Sequence, residues 1–279
     1  MTFATLISCA QLRSLQAAGG ALVLLDCSFD LANPGAGLAV YLEGHLPSAQ
    51  YAHLDHDLCG AKSGHNGRHP LPARADFAAR AGAWGIAPGV QVVTFDAQGA
   101  PYAARAWWML RWLGHSAVAV LDGGRQAWLD SAGPLVAQPT VAQVQPSYPE
   151  LPVGMPTVDA QHLLRAIGRL CVLDARPGER FRGEVEPLDA VAGHIPGASH
   201  RFFKDNLDAR GRFKPAAELR SAFEDYGRAP ADIVHQCGSG VTACHNLLAM
   251  AHAGLAGSLL YPGSWSEWCS DAARPVARG

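Results

Sequence analysis

Short apolar runs alternate along the chain with longer stretches in which apolar residues recur at helical spacing. The runs are ALVLLD, VQVVTF and AVAVLD in the first half, and LCVLD, DIVHQC and SLLYP in the second. AARAWWMLRWLG and TACHNLLAMAHAG are two of the intervening helical stretches. Buried strands that alternate with helices in this way are typical of parallel sheets covered on both faces. The pattern predicts an α/β fold with doubly wound parallel sheets and helices on both faces.

Four motifs of the first half return in the same order in the second half, which indicates a tandem repeat. The pairs are LVLLDCSF with LCVLDARP, EGHLPSAQY with AGHIPGASH, QVVTFDAQGA with DIVHQCGSGV, and VLDGGRQAW with LYPGSWSEW. They align Asp26 with Asp174, His45 with His194, Asp96 with Cys237, and Trp128 with Trp268. Because both copies keep the histidine, a structural role is favoured for His45 and His194. The chain of 279 residues has room for one domain per copy.

The spacing of these pairs locates an insertion and a linker. Partners are 149 residues apart at His45 but only 141 apart at Asp96, so the first half carries eight extra residues between them. The Gly-rich segment CGAKSGHNGRHP accounts for them as a loop that projects from the first half and could reach the second. A proline-rich, almost uncharged segment separates the halves. We expect domains at 1–133 and 157–279, joined by a linker at 134–156.

Charge and cysteine content narrow the possible partners. A net charge of −2 leaves no basic face for nucleic acid. Asp26 and Asp30 interrupt the apolar run near the amino terminus, so neither a signal peptide nor a membrane span is predicted. Seven cysteines without paired spacing argue against a disulfide framework or a metal site. A reducing, cytoplasmic setting, a small-molecule substrate and no cofactor are therefore expected.

Cys237 differs from the other cysteines in its position. DIVHQC is a predicted buried strand and VTACHNLLAMAHAG begins a helix, so CGSG is a strand-to-helix turn at the carboxyl edge of a parallel sheet, where ligands bind. Gly238 and Gly240 allow the turn to curl around the sulfur with its backbone N–H groups pointing inward. Such a turn favours the thiolate, which is the nucleophilic form of cysteine. The alternative from spacing alone is a buried structural cysteine beside a tight turn.

These motifs resemble the tandem-domain rhodanese-type sulfurtransferases, and the loop CGSGVTAC resembles the 3-mercaptopyruvate branch of that family. GHLP, GHIPGA, LDAR followed by ERFRG, and YPGSWSEW are similar to the flanking motifs, and they follow the family order along nearly the whole chain. The resemblance implies that Cys237 accepts a sulfur atom from a donor and holds it as a persulfide. The sulfur then passes to a thiol, to cyanide or to a thioredoxin-like reductant. Asp96 cannot carry sulfur, so the first domain is expected to be catalytically silent.

The resemblance also assigns roles to residues around the thiol. Ser239 joins Cys237 as a catalytic residue. The implied donor-binding residues are Arg180, Gly238, Gly240, Val241, Thr242, His69 and Asp55. Arg180 would fork onto the donor carboxylate. A surface histidine remains the alternative for His69.

One departure affects the choice of donor. Related mercaptopyruvate enzymes have a second arginine after Glu-Pro, whereas this chain has Leu188. Arg182 could replace it; otherwise a weaker hold on the carboxylate, and hence a higher KM, is expected. Thiosulfate is the rival donor, but its branch has basic side chains in the loop where Gly238 and Ser239 are neutral.

Two other classes fit less well. A cysteine phosphatase needs an arginine six positions after the nucleophile, and this chain has Ala243 there. A non-catalytic rhodanese-like binding module would be favoured by the loss of the nucleophile, whereas Cys237 and the following GSGVT are intact.

Overall fold

The computed structural model describes residues 2–279, which form two compact units. Unit 1 comprises Met1–Cys59, Pro72–Gly154 and Ala209–Arg212, with Met1 outside the described residues. Unit 2 comprises Gly60–Leu71, Met155–Asp208 and Phe213–Gly279. Three segments group differently from the expected domains: residues 60–71 with unit 2, residues 209–212 with unit 1, and the expected linker with unit 1 as far as Gly154.

The described part of unit 1 is built on a parallel five-stranded sheet with the strand order β1-β5-β4-β2-β3. The strands are β1 Leu6–Ile7, β2 Leu22–Asp26, β3 Ala49–Tyr51, β4 Gln91–Phe95 and β5 Val118–Leu121. The helices are α1 Cys9–Ala18, α2 Ala36–Glu43, α3 Leu54–Asp57, α4 Arg74–Ala83, α5 Pro101–Leu113 and α6 Gly124–Asp130. β4 is buried along its whole length, as expected for a strand covered on both faces.

Unit 2 repeats this architecture on a parallel four-stranded sheet with the order β7-β6-β8-β9. The strands are β6 Cys171–Asp174, β7 Ser199–His200, β8 Ile233–Gln236 and β9 Leu259–Leu260. The helices are α7 Ala160–Arg165, α8 Gly178–Phe181, α9 Ala216–Glu224, α10 Ala243–His252 and α11 Ser264–Trp268. Short 3₁₀ turns lie at Phe203–Asn206 and Pro230–Asp232.

The fold class predicted from the apolar pattern is confirmed. Each of the six predicted strand runs contains a strand, and the two quoted helical stretches cover α5 except for its first two residues and the whole of α10. α5 is apolar on nearly every side because it is buried almost entirely; it begins at Pro101 and ends before Gly114, which has a left-handed backbone. The sequence prediction missed β1, β3 and β7, which have only two or three residues each and therefore too little pattern to detect.

The tandem repeat is visible in matching contacts. His45 stacks on Tyr41 and bonds its carbonyl through Nδ1 at 2.7 Å, while His194 stacks on Phe181 and bonds its carbonyl at 2.8 Å. These contacts agree with the structural role favoured for the two histidines. No helix among residues 2–279 has the length and apolar character needed to span a bilayer.

Candidate active site

The thiol of Cys237 lies at the carboxyl edge of the unit 2 sheet. β8 ends at Gln236 and α10 begins at Ala243, so the residues between them form the predicted strand-to-helix turn. Cys237 is 2% exposed, and the Ser239 N–H donates to its sulfur at 3.5 Å. Gly240 has a φ of +76°, and a Cβ there would lie 2.3 Å from the Pro262 carbonyl oxygen. Only glycine fits this position, which explains the tight curl of the turn.

The amino-terminal end of α11 fixes the turn from outside. The Cys237 N–H donates to Ser264 Oγ at 3.1 Å, and the Trp265 N–H donates to the Cys237 carbonyl at 3.0 Å. The Ser266 N–H donates to the Gly238 carbonyl at 2.9 Å. These bonds satisfy backbone groups that the turn leaves outside the sheet and the helix, so the YPGSWSEW motif positions the cysteine.

His69 is brought to the turn by the segment that groups with unit 2. It is 3% exposed, and its Nδ1 lies 2.7 Å from Ser239 Oγ, although 170 residues separate the two in sequence. Burial removes the alternative of a solvated surface histidine. Cys237, Ser239 and His69 therefore form one continuous polar cluster.

A network of alternating charges lies beside the turn. Arg180 donates to Glu186 through Nε at 3.1 Å and Nη2 at 2.6 Å, and Nη2 also lies 3.2 Å from Asp189 Oδ2. Arg176 binds Asp174 through Nε and Nη2, with the Nη2 to Oδ2 distance at 2.7 Å. These carboxylates fix both guanidinium groups in orientation.

Two members of this network, Arg176 and Asp189, have shifted pKa values. Burial lowers the pKa of Arg176, but Asp174, Glu186 and Cys237 outweigh it, so the net shift is upward. Burial raises the pKa of Asp189, against the opposing effect of Arg68. The thiol of Cys237 therefore lies within the field of the Arg176 guanidinium.

Two guanidinium groups converge on Gly238. A Cβ built on this glycine would lie 2.9 Å from Arg68 Nη2 and 3.3 Å from Arg180 Nη1. Arg68 Nη1 donates to Asp189 Oδ1 at 2.6 Å, so one carboxylate bridges both arginines. The neutral loop is thus flanked by positive charge from other segments of unit 2.

The corresponding turn of unit 1 holds a carboxylate instead of a thiol. Asp96 is 1% exposed and accepts four backbone hydrogen bonds, two at each oxygen, between 2.8 and 3.0 Å. The donors are the N–H groups of Gln98, Ala100, Tyr102 and Ala103. Burial raises the pKa of Asp96, and these backbone bonds act in the opposite direction. One of these donors has a counterpart in unit 2: the Ser239 N–H, two residues after Cys237, donates to its sulfur as the Gln98 N–H, two residues after Asp96, donates to the carboxylate.

The remaining predicted residues differ in position. Val241 and Thr242 lie in the turn itself, with Val241 5% exposed. Asp55 lies on α3 in unit 1, where its N–H donates to His53 Nδ1. Arg182 is half-exposed and held by Glu184, and Leu188 is 45% exposed. Neither of the last two is near Gly238 in the way that Arg68 and Arg180 are.

Sequence reasoning missed Arg68, Glu186 and Asp189. A signal for Arg68 was available, because it directly precedes His69 in GRHP. Without the fold, however, an arginine in a Gly-rich loop is indistinguishable from a solvated one. The two acidic residues follow in the segment that carries Leu188, and their role becomes visible only when their distances to the arginines are known.

The repeated parallel α/β unit, with a buried thiol in the strand-to-helix turn of the second copy and an aspartate in the first, defines a class of tandem α/β proteins with one loop cysteine. The chain belongs to the rhodanese family, since the model of the rhodanese-like domain matches residues 8–131 and 159–271.

The names of similar proteins include both 3-mercaptopyruvate and thiosulfate sulfurtransferases. A probable 3-mercaptopyruvate sulfurtransferase of Pseudomonas aeruginosa is 46% identical over 265 residues, covering 92% of this chain and 93% of the relative. A putative thiosulfate sulfurtransferase of Mycobacterium tuberculosis is 40% identical over 279 residues, covering 98% and 97%. Among solved structures, the 3-mercaptopyruvate sulfurtransferase of Leishmania major superposes with a TM-score of 0.84 at 28% identity, covering 95% of this chain and 74% of that one.

Proposed function

We propose that this protein is a sulfurtransferase that takes sulfur from 3-mercaptopyruvate onto Cys237 and passes it to a thiol or to cyanide. The observation that supports this most directly is the buried Cys237 thiol, which accepts from the Ser239 N–H, with the Ser239–His69 pair beside it and two guanidinium groups at Gly238. The names of close relatives point to the same reaction.

In the first half-reaction the Cys237 thiolate attacks the sulfur of the donor. A bond forms between Sγ and the donor sulfur, and the bond from that sulfur to C3 breaks with its electron pair leaving on carbon. The product is the enolate of pyruvate, which takes up at C3 the proton that the donor thiol loses. Cys237 is left as a persulfide anion, and the Ser239 N–H, which already donates to the sulfur, is suited to stabilise its charge.

In the second half-reaction a nucleophilic acceptor attacks the outer sulfur of the persulfide. Its bond to Cys237 breaks, and the thiolate is regenerated without any change in net electron count. Cyanide yields thiocyanate, whereas a thiol yields a new persulfide. A dithiol protein of the thioredoxin type would convert that persulfide to a disulfide and release the sulfur as sulfide.

Ser239 and His69 act on the carbonyl of the donor. Charge develops on the C2 oxygen as the carbon–sulfur bond breaks, and the Ser239 hydroxyl donates a hydrogen bond to it. The hydroxyl can do so while accepting from His69 when the proton of the imidazole is on Nδ1, which lies 2.7 Å away. The pair therefore stabilises the enolate without an external acid.

The choice of donor rests on charge and shape. 3-Mercaptopyruvate has one carboxylate, a carbonyl and a thiol, which match the arginines at Gly238, the Ser239 hydroxyl and Cys237. Thiosulfate has no carbonyl, so the contact between Ser239 and His69 would have no role in its reaction. Asp96 fills the turn of unit 1 with its own carboxylate, and we infer that this copy is catalytically silent.

Steady-state rates with both donors and cyanide as the common acceptor test the proposal. The expected result is a higher kcat/KM for 3-mercaptopyruvate than for thiosulfate, and a fall of about 10- to 100-fold for mercaptopyruvate in Arg180→Ala. Equal or higher kcat/KM with thiosulfate would instead identify the protein as a thiosulfate:cyanide sulfurtransferase. No sulfur transfer from either donor would favour a non-catalytic binding role.

A further inference from the structure

Arg68 is placed like a binding residue although no motif marks it as one. Its Nη2 approaches Gly238 within 2.9 Å of an ideal Cβ position, on the same glycine that Arg180 Nη1 approaches at 3.3 Å. The Arg68 bond to Asp189 uses Nη1, and the Arg180 bonds to Glu186 and Asp189 use Nε and Nη2. The nearest nitrogen of each arginine to Gly238, Nη2 of Arg68 and Nη1 of Arg180, is thus one for which no bond to these acidic residues is seen, whereas Arg180 Nη2, 3.5 Å from the same Cβ position, is held by both acids.

The spacing of the two arginines suits a single carboxylate. Asp189 already shows this, because its Oδ1 lies 2.6 Å from Arg68 and its Oδ2 lies 3.2 Å from Arg180. A planar carboxylate with one oxygen for each guanidinium is thus compatible with the distance between the two side chains. The nitrogens on the Gly238 side can receive a second carboxylate in the same manner.

The backbone of Arg68 is fixed to the nucleophile turn through one residue. The Arg68 N–H donates to Ser266 Oγ at 2.9 Å, and the Ser266 N–H donates to the Gly238 carbonyl at 2.9 Å. The preceding Gly67 has a φ of +86°, and a Cβ on it would lie 2.7 Å from the Gly263 carbonyl oxygen. Close contact between these segments sets the position of Arg68 relative to Cys237 and rules out a larger residue at position 67.

Arg68 also has unused capacity for hydrogen bonding. Its Nε is buried without a partner, a state that is costly for a charged donor. A ligand anion that enters beside Gly238 would lower this cost by neutralising the guanidinium. The adjacent Arg180 is mostly buried as well, so the contact would form in a region with little screening by water.

We propose that Arg68 is the second carboxylate-binding arginine of the site and selects α-keto carboxylate donors together with Arg180. This inference rests on the function proposed above. Arg68 takes the place that Leu188 leaves unfilled, and Arg182 is excluded from it because it is half-exposed and paired with Glu184. The second charge for the donor thus comes from the segment before His69, so the same loop supplies a binding residue and a catalytic one.

The test compares Arg68→Gln, Arg68→Lys and Arg182→Gln with the wild type, using cyanide as acceptor and measuring thiocyanate. Two donors are needed: 3-mercaptopyruvate and 1-mercapto-2-propanone, which has the thiol and carbonyl but no carboxylate. In Arg68→Gln, kcat/KM for mercaptopyruvate is expected to fall about 10- to 100-fold, mainly through KM. The rate with mercaptopropanone should stay within about twofold, and Arg68→Lys should recover part of the loss.

Arg182→Gln is the matched control, since it removes an arginine of the same unit that is half-exposed and paired with Glu184. Its kcat/KM should stay within about twofold of the wild type for both donors. Loss of activity in this variant but not in Arg68→Gln would overturn the assignment, and so would an equal loss with both donors in Arg68→Gln. Failure of the proposed function would be distinguishable, because the wild type itself would then not transfer sulfur from mercaptopyruvate.

Discussion

Single residues in this site acquire their chemistry from partners that are distant in sequence. Cys237 could be recognised because its signal is local: a buried strand, two glycines and a helix follow one another within a few residues. His69 and Arg68 could not be separated from solvated loop residues, because Ser239 and Asp189, which define their roles, lie more than 100 residues away. Local sequence patterns therefore single out the candidate thiol, whereas His69 was named only through resemblance to a family and Arg68 was not named at all.

Replacing the nucleophile should abolish the reaction while preserving the fold. In Cys237→Ser, turnover with every donor is expected to fall to background, since a hydroxyl cannot form the persulfide. Mass spectrometry of the wild type after donor treatment should show one added sulfur on Cys237. An adduct on Cys244, or activity in the variant, would contradict the assignment; circular dichroism serves as the control for folding.

His235 gives a pH dependence of stability that is separate from catalysis. Complete burial lowers its pKa to about 3, with a further contribution from Arg201. Between pH 6.5 and 3 only the unfolded chain binds this proton, so its effect on stability appears as the pH falls through 6.5. Relative to His235→Leu, the wild type should lose about 1.4 kcal/mol of unfolding free energy from pH 7.5 to 5.5 in urea titrations. An identical pH dependence of the unfolding free energy in both proteins would show that folding does not lower the pKa of His235.

At the scale of elements, the two strand-to-helix turns have a similar backbone but different central side chains, Asp96 in unit 1 and Cys237 in unit 2. Both turns place a glycine with positive φ three residues after the central side chain, Gly99 after Asp96 and Gly240 after Cys237. The charged partners are not repeated, because the counterparts of Arg176 and Arg180 at the offset of Asp26 and Asp174 are Ser28 and Ala32. The repeat predicts the shape of the turn from sequence, whereas its reactivity depends on residues outside it.

Introducing a thiol into the first turn should therefore not create a second site. Asp96→Cys lacks the arginines, and Pro101 has no N–H where Thr242 has one. The variant also loses a carboxylate that accepts four backbone bonds, so unit 1 is expected to be destabilised by about 2–4 kcal/mol. The double variant Asp96→Cys/Cys237→Ser allows a clean reading by mass spectrometry after donor treatment. A transferable sulfur on residue 96 would refute the prediction.

At the scale of the whole molecule, the compact units are not continuous in sequence. Residues 60–71 lie between two segments of unit 1 but group with unit 2. The apolar pattern and the repeat correctly predict the two α/β sheets, because both signals are periodic and local. They cannot predict that residues 60–71 group with unit 2, since that depends on contacts such as Gly67 with Gly263. The length of the sequence between the repeated motifs reveals the insertion. The fold is needed to show that His69 lies beside Ser239.

Truncating the chain at the linker should therefore remove residues of the candidate site as well as the sheet of unit 1. Residues 155–279 contain Cys237, Ser239 and Arg180 but lack Arg68 and His69. If this fragment folds, as checked by circular dichroism, its kcat/KM for 3-mercaptopyruvate is expected to be at least about 100-fold below that of the full chain, because an acid–base partner and a charged contact are both missing. The alkylation rate of Cys237 provides a separate control for the integrity of the turn. Full activity of the fragment would show that the 60–71 segment is dispensable.

The four bonds to Asp96 imply a difference in amide hydrogen exchange between the two copies. In unit 1 the anion is part of the chain, so the N–H groups of Gln98 and Ala100 should exchange slowly at every stage of turnover. The counterparts of these two amides in unit 2 are the amide of Ser239, which donates to the sulfur of Cys237, and the amide of Val241, which occupies the position of Ala100 in the second turn. We expect these two amides to exchange faster in the resting enzyme and to become protected when Cys237 carries a persulfide. Amide exchange in the turn around Asp96 thus serves as an internal reference for the change in exchange that persulfide formation causes in the turn around Cys237.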